Sequence, residues 1–287
     1  MSILSDLHTH STASDGQYTP SELVGLAKER GIEVLALTDH DTVDGIGEAV
    51  RAGKLLGVRV LPGIELSALE YHTFHILGYG IDPGNPGLAE LCRRMKARRD
   101  ERVDRLLAFL REKGVELTAA EVEAIAGGEI IGRPHFAQAM VRRGYVATNR
   151  EAFDRYLDTE EYHEKAERGK PSVKECITAI RAAGGMVSLA HPYQIGIGNT
   201  ELNGLVGELA GYGLGAIECY YPRHTSEQEA FCLYLAEKYK LHATGGSDFH
   251  GEKVKPDVKL AALELDLSWM TKTAWSGGVL NGFETRN

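Results

Sequence analysis

Six short apolar runs recur along the chain: "SILSDLH" (2–8), "VLALTDH" (34–40), "VRVLPGIELSA" (58–68), "MVSLAHP" (186–192), "AIECYY" (216–221) and "HATGGSDFH" (242–250). Amphipathic segments of helical period separate them, at 44–56, 172–183, 200–210 and 226–239, after a first helix in "TPSELVGLAKERG". That first helix is punctuated by Thr19 as N-cap, Pro20 at its first position and Gly31 as C-cap. Strand-length runs alternating with helices restrict the fold to an α/β class with right-handed crossovers and a mainly parallel sheet, open or closed into a barrel.

The rhythm stops between about residues 88 and 165. Segments such as "LCRRMKARRDERVDRLLAFLREKG", "RPHFAQAMVRRG" and "EAFDRYL" carry helical periodicity and almost no strand signal, which predicts an all-helical insertion. A chain of 287 residues, 43% hydrophobic and 25% charged, can bury a substantial core. Four separated cysteines, Cys92, Cys176, Cys219 and Cys232, form no CxxC pair, so neither a disulfide framework nor a thiolate zinc site is expected. With no apolar run of about 18 residues and no secretory signal in "MSIL", the expected home is the reducing cytoplasm, away from membranes. A net charge of −9 argues against broad binding to long nucleic acid. The exception is 93–105, "RRMKARRDERVDR", with seven basic and three acidic residues, read as a solvated helix with pairs at i,i+4.

The strand runs end in coordinating side chains. His8 and His10 are two apart, and i,i+2 side chains on a strand share a face. Asp39, His40 and Asp41 follow the second run, Glu65 the third and His191 a later one, while Asp248 and His250 repeat the i,i+2 spacing. A single His or Asp in such a place is ordinarily a rim residue or helix cap, and Asp41 and Asp44 are read as structural. The whole set at one rim is different, because clustered ionisable groups need compensating charge and divalent cations supply it. The donors are all nitrogen and oxygen, suiting Mn, Zn or Fe, with Mg also allowed. They are too many for one ion, and two or three metals sharing a bridging carboxylate suit hydrolysis of phosphate esters.

"DLHTHSTASDG", "ALTDHD", "GIELSA", "HILGYG", "LAHP" and "GSDFHG" resemble, in order, the motifs of the polymerase and histidinol phosphatase (PHP) family. "IGRPHFAQAMVRRG" and "PRHT" resemble its stand-alone nucleotide phosphoesterase branch. The resemblance implies a distorted seven-stranded (β/α) barrel formed by 1–90 and 166–287, with a helical insertion at 91–165 covering the active site. It implies one metal on His8, His10, Glu65 and Asp248, a second sharing Glu65 and adding His75 and His191, and a third on Asp15, His40 and His250. "HILGYG" selects His75 over His72, and Asp15 would otherwise read as a turn residue in "SDG". Asp6 is expected to support the histidines from behind, as carboxylates commonly do for metal-bound imidazoles.

The same resemblance points to Arg133, His135 and His224 as phosphate-binding groups and to His191 or His224 as the acid for the leaving oxygen. Two departures stand out. Arg223 replaces a small polar residue, and "DTEEYHEKAERGKPSV" replaces a short "GKPAYV"-like turn, where Lys165, Arg168 or Lys170 could supply the basic contact. The implied activity is hydrolysis of a phosphomonoester on a small nucleotide, such as a 3′,5′-bisphosphonucleotide or nucleoside monophosphate, with no obligate protein partner. The alternatives are a 5′–3′ exoribonuclease on short RNA, a histidinol phosphate phosphatase, and a non-catalytic metal-bound module.

Overall fold

A computed structural model describes residues 2–71, 73–126, 131–166 and 169–270. His72 and Arg168 lie outside the described residues. Two compact units are present, one comprising the chain up to Arg93 and from Pro171 onward, the other Arg94–Lys170.

The first unit is built on β1 (Ser2–Thr9), β2 (Val34–Leu37), β3 (Arg59–Ser67), β4 (His75–Tyr79), β5 (Met186–Leu189), β6 (Ala216–Tyr220), β7 (His242–Gly245) and β8 (Leu263–Asp266). Its helices include α1 (Pro20–Glu29) and α2 (Ile46–Leu56); α3 (Pro86–Asp100) leads into the second unit. Thr19 caps α1 as expected, in a capping box with Glu22. The eight strands form one sheet in the order β7-β6-β5-β4-β3-β2-β1-β8. A parallel bridge from Thr9 to Phe249 and the bond from His10 N–H to Phe249 O (2.9 Å) tie β1 to the segment after β7, so the sheet is nearly closed into a barrel.

The expected α/β barrel sheet is present, and it differs from the expectation in two details. Among the described residues the sheet has eight strands rather than seven, because Leu263–Asp266 pairs antiparallel with the start of β1. It is also mixed: β4 runs antiparallel to both β3 and β5. The parallel pairs are β1–β2, β2–β3, β5–β6 and β6–β7.

Strand pleating divides the apolar side chains into layers. In β2, Leu35 and Leu37 pack with Leu23, Val24 and Ala27 of α1 and Ala49 of α2. Val34 and Ala36 point the other way, toward Leu7, Leu61, Leu77 and Tyr79. Both faces of β2 are buried, which explains why "VLAL" is continuously apolar. Between Asp6 and Thr9, β1 advances three residues while β2 advances two, from Leu35 to Leu37. This bulge re-aims the end of β1, and β6 has a similar irregularity between Glu218 and Tyr220.

After β5 the chain continues through α10 (Asn199–Tyr212), β6 and α11 (Ser226–Tyr239), with α9 (Val173–Ala182) leading into β5. The second unit contains α4 (Arg102–Glu112), α5 (Ala119–Ala126), α6 (Arg133–Arg142), α7 (Asn149–Ala152) and α8 (Glu160–Ala166). Its own core gathers Leu106, Phe109, Leu110, Val122, Phe136, Met140, Leu157 and Tyr162. No helix among the described residues is long and apolar enough to cross a membrane.

Candidate metal centre

All the side chains singled out as metal ligands converge on one end of the barrel. Glu65, wholly buried on β3, is the hub. Its Oε1 lies 3.0 Å from both His75 Nδ1 and His191 Nε2. Its Oε2 lies 3.3 Å from His8 Nε2, 3.3 Å from His10 Nε2 and 2.9 Å from His40 Nδ1. Asp248 Oδ1 is 3.4 Å from His10 Nε2 and 3.3 Å from His250 Nδ1, and Asp15 Oδ1 is 3.4 Å from His250 Nε2. Four overlapping groups have ligand atoms all within 4.8 Å of one another: His8–His10–Asp248, His8–Glu65–His191, His40–Glu65–His75 and His10–Asp15–His40–His250.

The topology explains how residues so far apart meet. His8 and His10 end β1, His40 follows β2, His191 follows β5, and Asp248 and His250 follow β7. Those are carboxyl ends of parallel strands, the functional rim of α/β barrels. His75 is the first residue of β4, paired with Ser67 at the end of β3. Because β4 runs backwards, its amino end reaches the same rim. A rule based on carboxyl ends alone could not have chosen His75.

The neighbouring acids hold the loops. Asp39 accepts hydrogen bonds from Ser11 N–H, Ser11 Oγ and Ser14 Oγ, all at 2.7 Å, pinning the loop that carries Asp15. Asp41 accepts from Ser67 N–H (2.9 Å) and Oγ (3.1 Å), a structural role as expected. Asp6 does not back the imidazoles: it accepts from Ser247 N–H and Oγ, Ala261 N–H and the backbone N–H of His8. The carboxylate behind the His8 ring is Glu218, 3.0 Å from Nδ1, a residue the sequence reading missed. Its only local signal is an acid inside the apolar run "AIECYY". Asp248 is held by Tyr221 Oη (3.0 Å) and Lys255 Nζ (2.8 Å), both on Oδ2, leaving Oδ1 toward the histidines.

The electrostatics push neighbouring imidazoles of the cage in opposite directions. Burial opposes charge on His8, yet Glu218, Glu65 and Asp248 outweigh it and hold its imidazole well above the usual range. Burial likewise opposes charge on His40, but Glu65 and Asp15 push it up to about 9. His10 is driven well below its ordinary value by burial, then by His250 and His40. Burial also takes His75 down to about 4. The His10 ring stacks on His250 with centroids 3.9 Å apart and lies 4.5 Å from His40. His8 Nε2, both His10 nitrogens, Glu65 Oε2 and His191 Nδ1 are buried with no hydrogen-bond partner among the described residues. Buried polar atoms are ordinarily satisfied, so this donor set fits divalent cations in open nitrogen and oxygen sites.

The proposed substrate residues are distributed over both units. His224 lies just beyond β6; its Nδ1 donates to Cys219 O (3.0 Å), and its Nε2 is buried without a hydrogen-bond partner. The rings of Tyr193 and Tyr221 meet it edge-on, at 5.5 and 5.2 Å between centroids. Arg223 is exposed. In the helical unit, Arg133 opens α6 and donates to Leu157 O (3.0 Å) and Asp158 Oδ1 (2.9 Å), with Phe153 and Tyr162 beneath its guanidinium. His135 Nδ1 accepts the N–H of Gly132. Lys165 is paired with Glu112 and Glu161.

Comparison with known proteins places this arrangement. Residues 6–166 match the model of the PHP domain. The chain is 35% identical over 247 residues to a 5′-3′ exoribonuclease of Haemophilus influenzae, covering 85% of this chain and 89% of that protein. It is 35% identical over 263 residues to a 3′,5′-nucleoside bisphosphate phosphatase of Chromobacterium violaceum, covering 85% and 86%. It is 34% identical over 254 residues to a phosphoribosyl 1,2-cyclic phosphate 1,2-diphosphodiesterase of Eggerthella lenta, covering 87% and 95%. A solved structure from Bifidobacterium adolescentis, described as a metal-dependent phosphoesterase, superposes with a TM-score of 0.71 at 30% identity, covering 94% of each chain.

Proposed function

The chain belongs to the PHP domain family, and from that premise we propose that it is a metal-dependent phosphoesterase removing a phosphomonoester from a small nucleotide, such as a 3′,5′-bisphosphonucleotide or nucleoside monophosphate. The observation that carries this reading is the cage around Glu65, in which His8 Nε2 and both His10 nitrogens are buried without a hydrogen-bond partner among the described residues. His8, His10, Glu65 and Asp248 would hold one cation, Glu65, His75 and His191 a second, and Asp15, His40 and His250 a third. Bound Mn, Zn or Fe would supply Lewis acidity and lower the pKa of water to about 7.

The chain's own groups do the rest. Tyr221 and Lys255 hold Asp248 in one orientation, so the cage is organised before substrate arrives. His224 is suited to protonate the leaving oxygen: Cys219 O fixes its Nδ1–H, leaving Nε2 to carry the transferable proton. His191 is less suited to that role, because its Nε2 faces Glu65 within the cage. Arg133 and His135 would orient phosphate, with Arg133 exchanging Asp158 for a phosphate that presents similar acceptors.

A second reading, 5′–3′ exonuclease action on short RNA, is supported by the H. influenzae relative. The basic run at 93–105 lends it less than composition suggests, since Arg93 pairs with Glu90 and Arg105 with Glu101. Purified protein reconstituted with Mn or Zn separates the readings. Its substrate panel comprises a 3′,5′-bisphosphonucleotide, a nucleoside 5′-monophosphate, a 5′-phosphorylated oligoribonucleotide, a phosphoribosyl 1,2-cyclic phosphate and histidinol phosphate. Inorganic phosphate released fastest from a mononucleotide supports the proposal. Preferred release of mononucleotides from the oligomer, preferred turnover of either non-nucleotide substrate, or metal binding without any turnover overturns it.

A further inference from the structure

Glu218 sits in β6 at 0% exposure, among the core residues Ala216, Ile217 and Cys219. A carboxylate is costly there unless its oxygens are used. Both are. Oε1 lies 3.0 Å from His8 Nδ1, and Oε2 accepts the backbone N–H of His191 at 2.6 Å. Each contact bears on a different ligand of the proposed cage, one from β1 and one from the turn after β5.

The first contact selects a tautomer. An ionised carboxylate only accepts hydrogen bonds, so His8 Nδ1 must be the protonated nitrogen that donates. The opposite nitrogen, Nε2, is the one aimed into the cage, 3.3 Å from Glu65 Oε2 and 3.7 Å from Asp248 Oδ1. A cation there requires Nε2 to present its lone pair, which the Nδ1–H tautomer provides.

The second contact holds a strained backbone. His191 has φ 25° and ψ 63°, in the left-handed region that side-chain-bearing residues rarely adopt, and it precedes Pro192. Strain of this kind persists only where surrounding contacts fix it. The bond from His191 N–H to Glu218 does so, while the His191 ring reaches Glu65 Oε1 at 3.0 Å.

We infer that Glu218 is a positioning residue that orients two metal ligands at once, His8 through its ring proton and His191 through its backbone, and thereby sets cation affinity. The inference rests on reading the cluster as a metal centre. Glutamine at 218 keeps the size but offers one oxygen and one amide group where two acceptors stood, so either one contact breaks or His8 takes the tautomer that carries its proton on Nε2, the nitrogen aimed into the cage. Chelator competition with Zn should therefore show Glu218→Gln binding about 10–100-fold more weakly than the wild type, the range for loss of such supporting carboxylates. Nitrogen-15 spectra of the zinc-loaded wild type, labelled at histidine, should show His8 protonated at Nδ1. Unchanged affinity in a folded Glu218→Gln overturns the inference while leaving the metal centre standing. A wild-type His8 protonated at Nε2 overturns it even if the variant fails to fold. A wild type that binds no Zn overturns the metal centre, and this inference with it.

Discussion

Replacing Glu65 by glutamine tests the centre where it is most connected. Five imidazoles face this one carboxylate at 2.9–3.3 Å. In the metal-free protein the carboxylate compensates His8 and His40, whose protonated forms it favours. Removing one partner from a buried charge cluster costs about 3–5 kcal/mol. Glutamine keeps one acceptor oxygen, so the lower part of that range applies. At roughly 2–4 °C per kcal/mol for a chain of 150–250 residues, the chelator-stripped variant should melt about 6–12 °C below the wild type. Metal loading then widens the gap. A site at 100-fold over its dissociation constant adds about 2.7 kcal/mol, and two of the four ligand groups contain Glu65. The wild type should gain melting temperature on loading, and Glu65→Gln should lose about 5 kcal/mol of that gain. Calorimetry of stripped and loaded proteins, with metal counting, provides the assay. A variant that binds the wild-type number of metals and gains as much on loading would refute the reasoning.

Other perturbations probe the supports. A Cβ at Gly246 would lie 2.4 Å from His8 Cβ and 2.5 Å from His8 N, so Gly246→Ala should cost about 1–3 kcal/mol or more and reduce metal content; wild-type metal content and melting would contradict the packing argument. Asp39→Ala strands three donors on Ser11 and Ser14. At about 1–3 kcal/mol for each buried unsatisfied group, it should destabilise the protein and speed amide exchange between Ser11 and Asp15; unchanged exchange would dismiss the loop-pinning role. Metal binding should also release protons. His40 is pushed up to about 9, so it carries a second proton at pH 7.5 without metal, and His8 is shifted in the same direction. Binding must expel the His40 proton, affinity must fall as pH falls, and calorimetric titration in two buffers should report on the order of one proton or more released. Heats independent of buffer would contradict this.

The alternation of apolar runs and amphipathic helices, the Thr19 cap and the helical middle are local patterns, readable because periodicity and capping act over a few residues. So are the donor types at strand ends, which point to nitrogen and oxygen coordination from residue type and spacing alone. Direction and pairing are not local. Only the tertiary structure decided that β4 runs backwards and brings His75 to the rim, that β8 joins as an eighth strand, and that a bulge turns the end of β1. It also decided the partner of His8: Asp6, two residues away, is spent on Ser247 and Ala261, whereas Glu218 arrives from 210 residues along the chain. The physical reason is that side-chain type and spacing act within one element, while register, closure and the pairing of buried charges depend on which strands lie side by side.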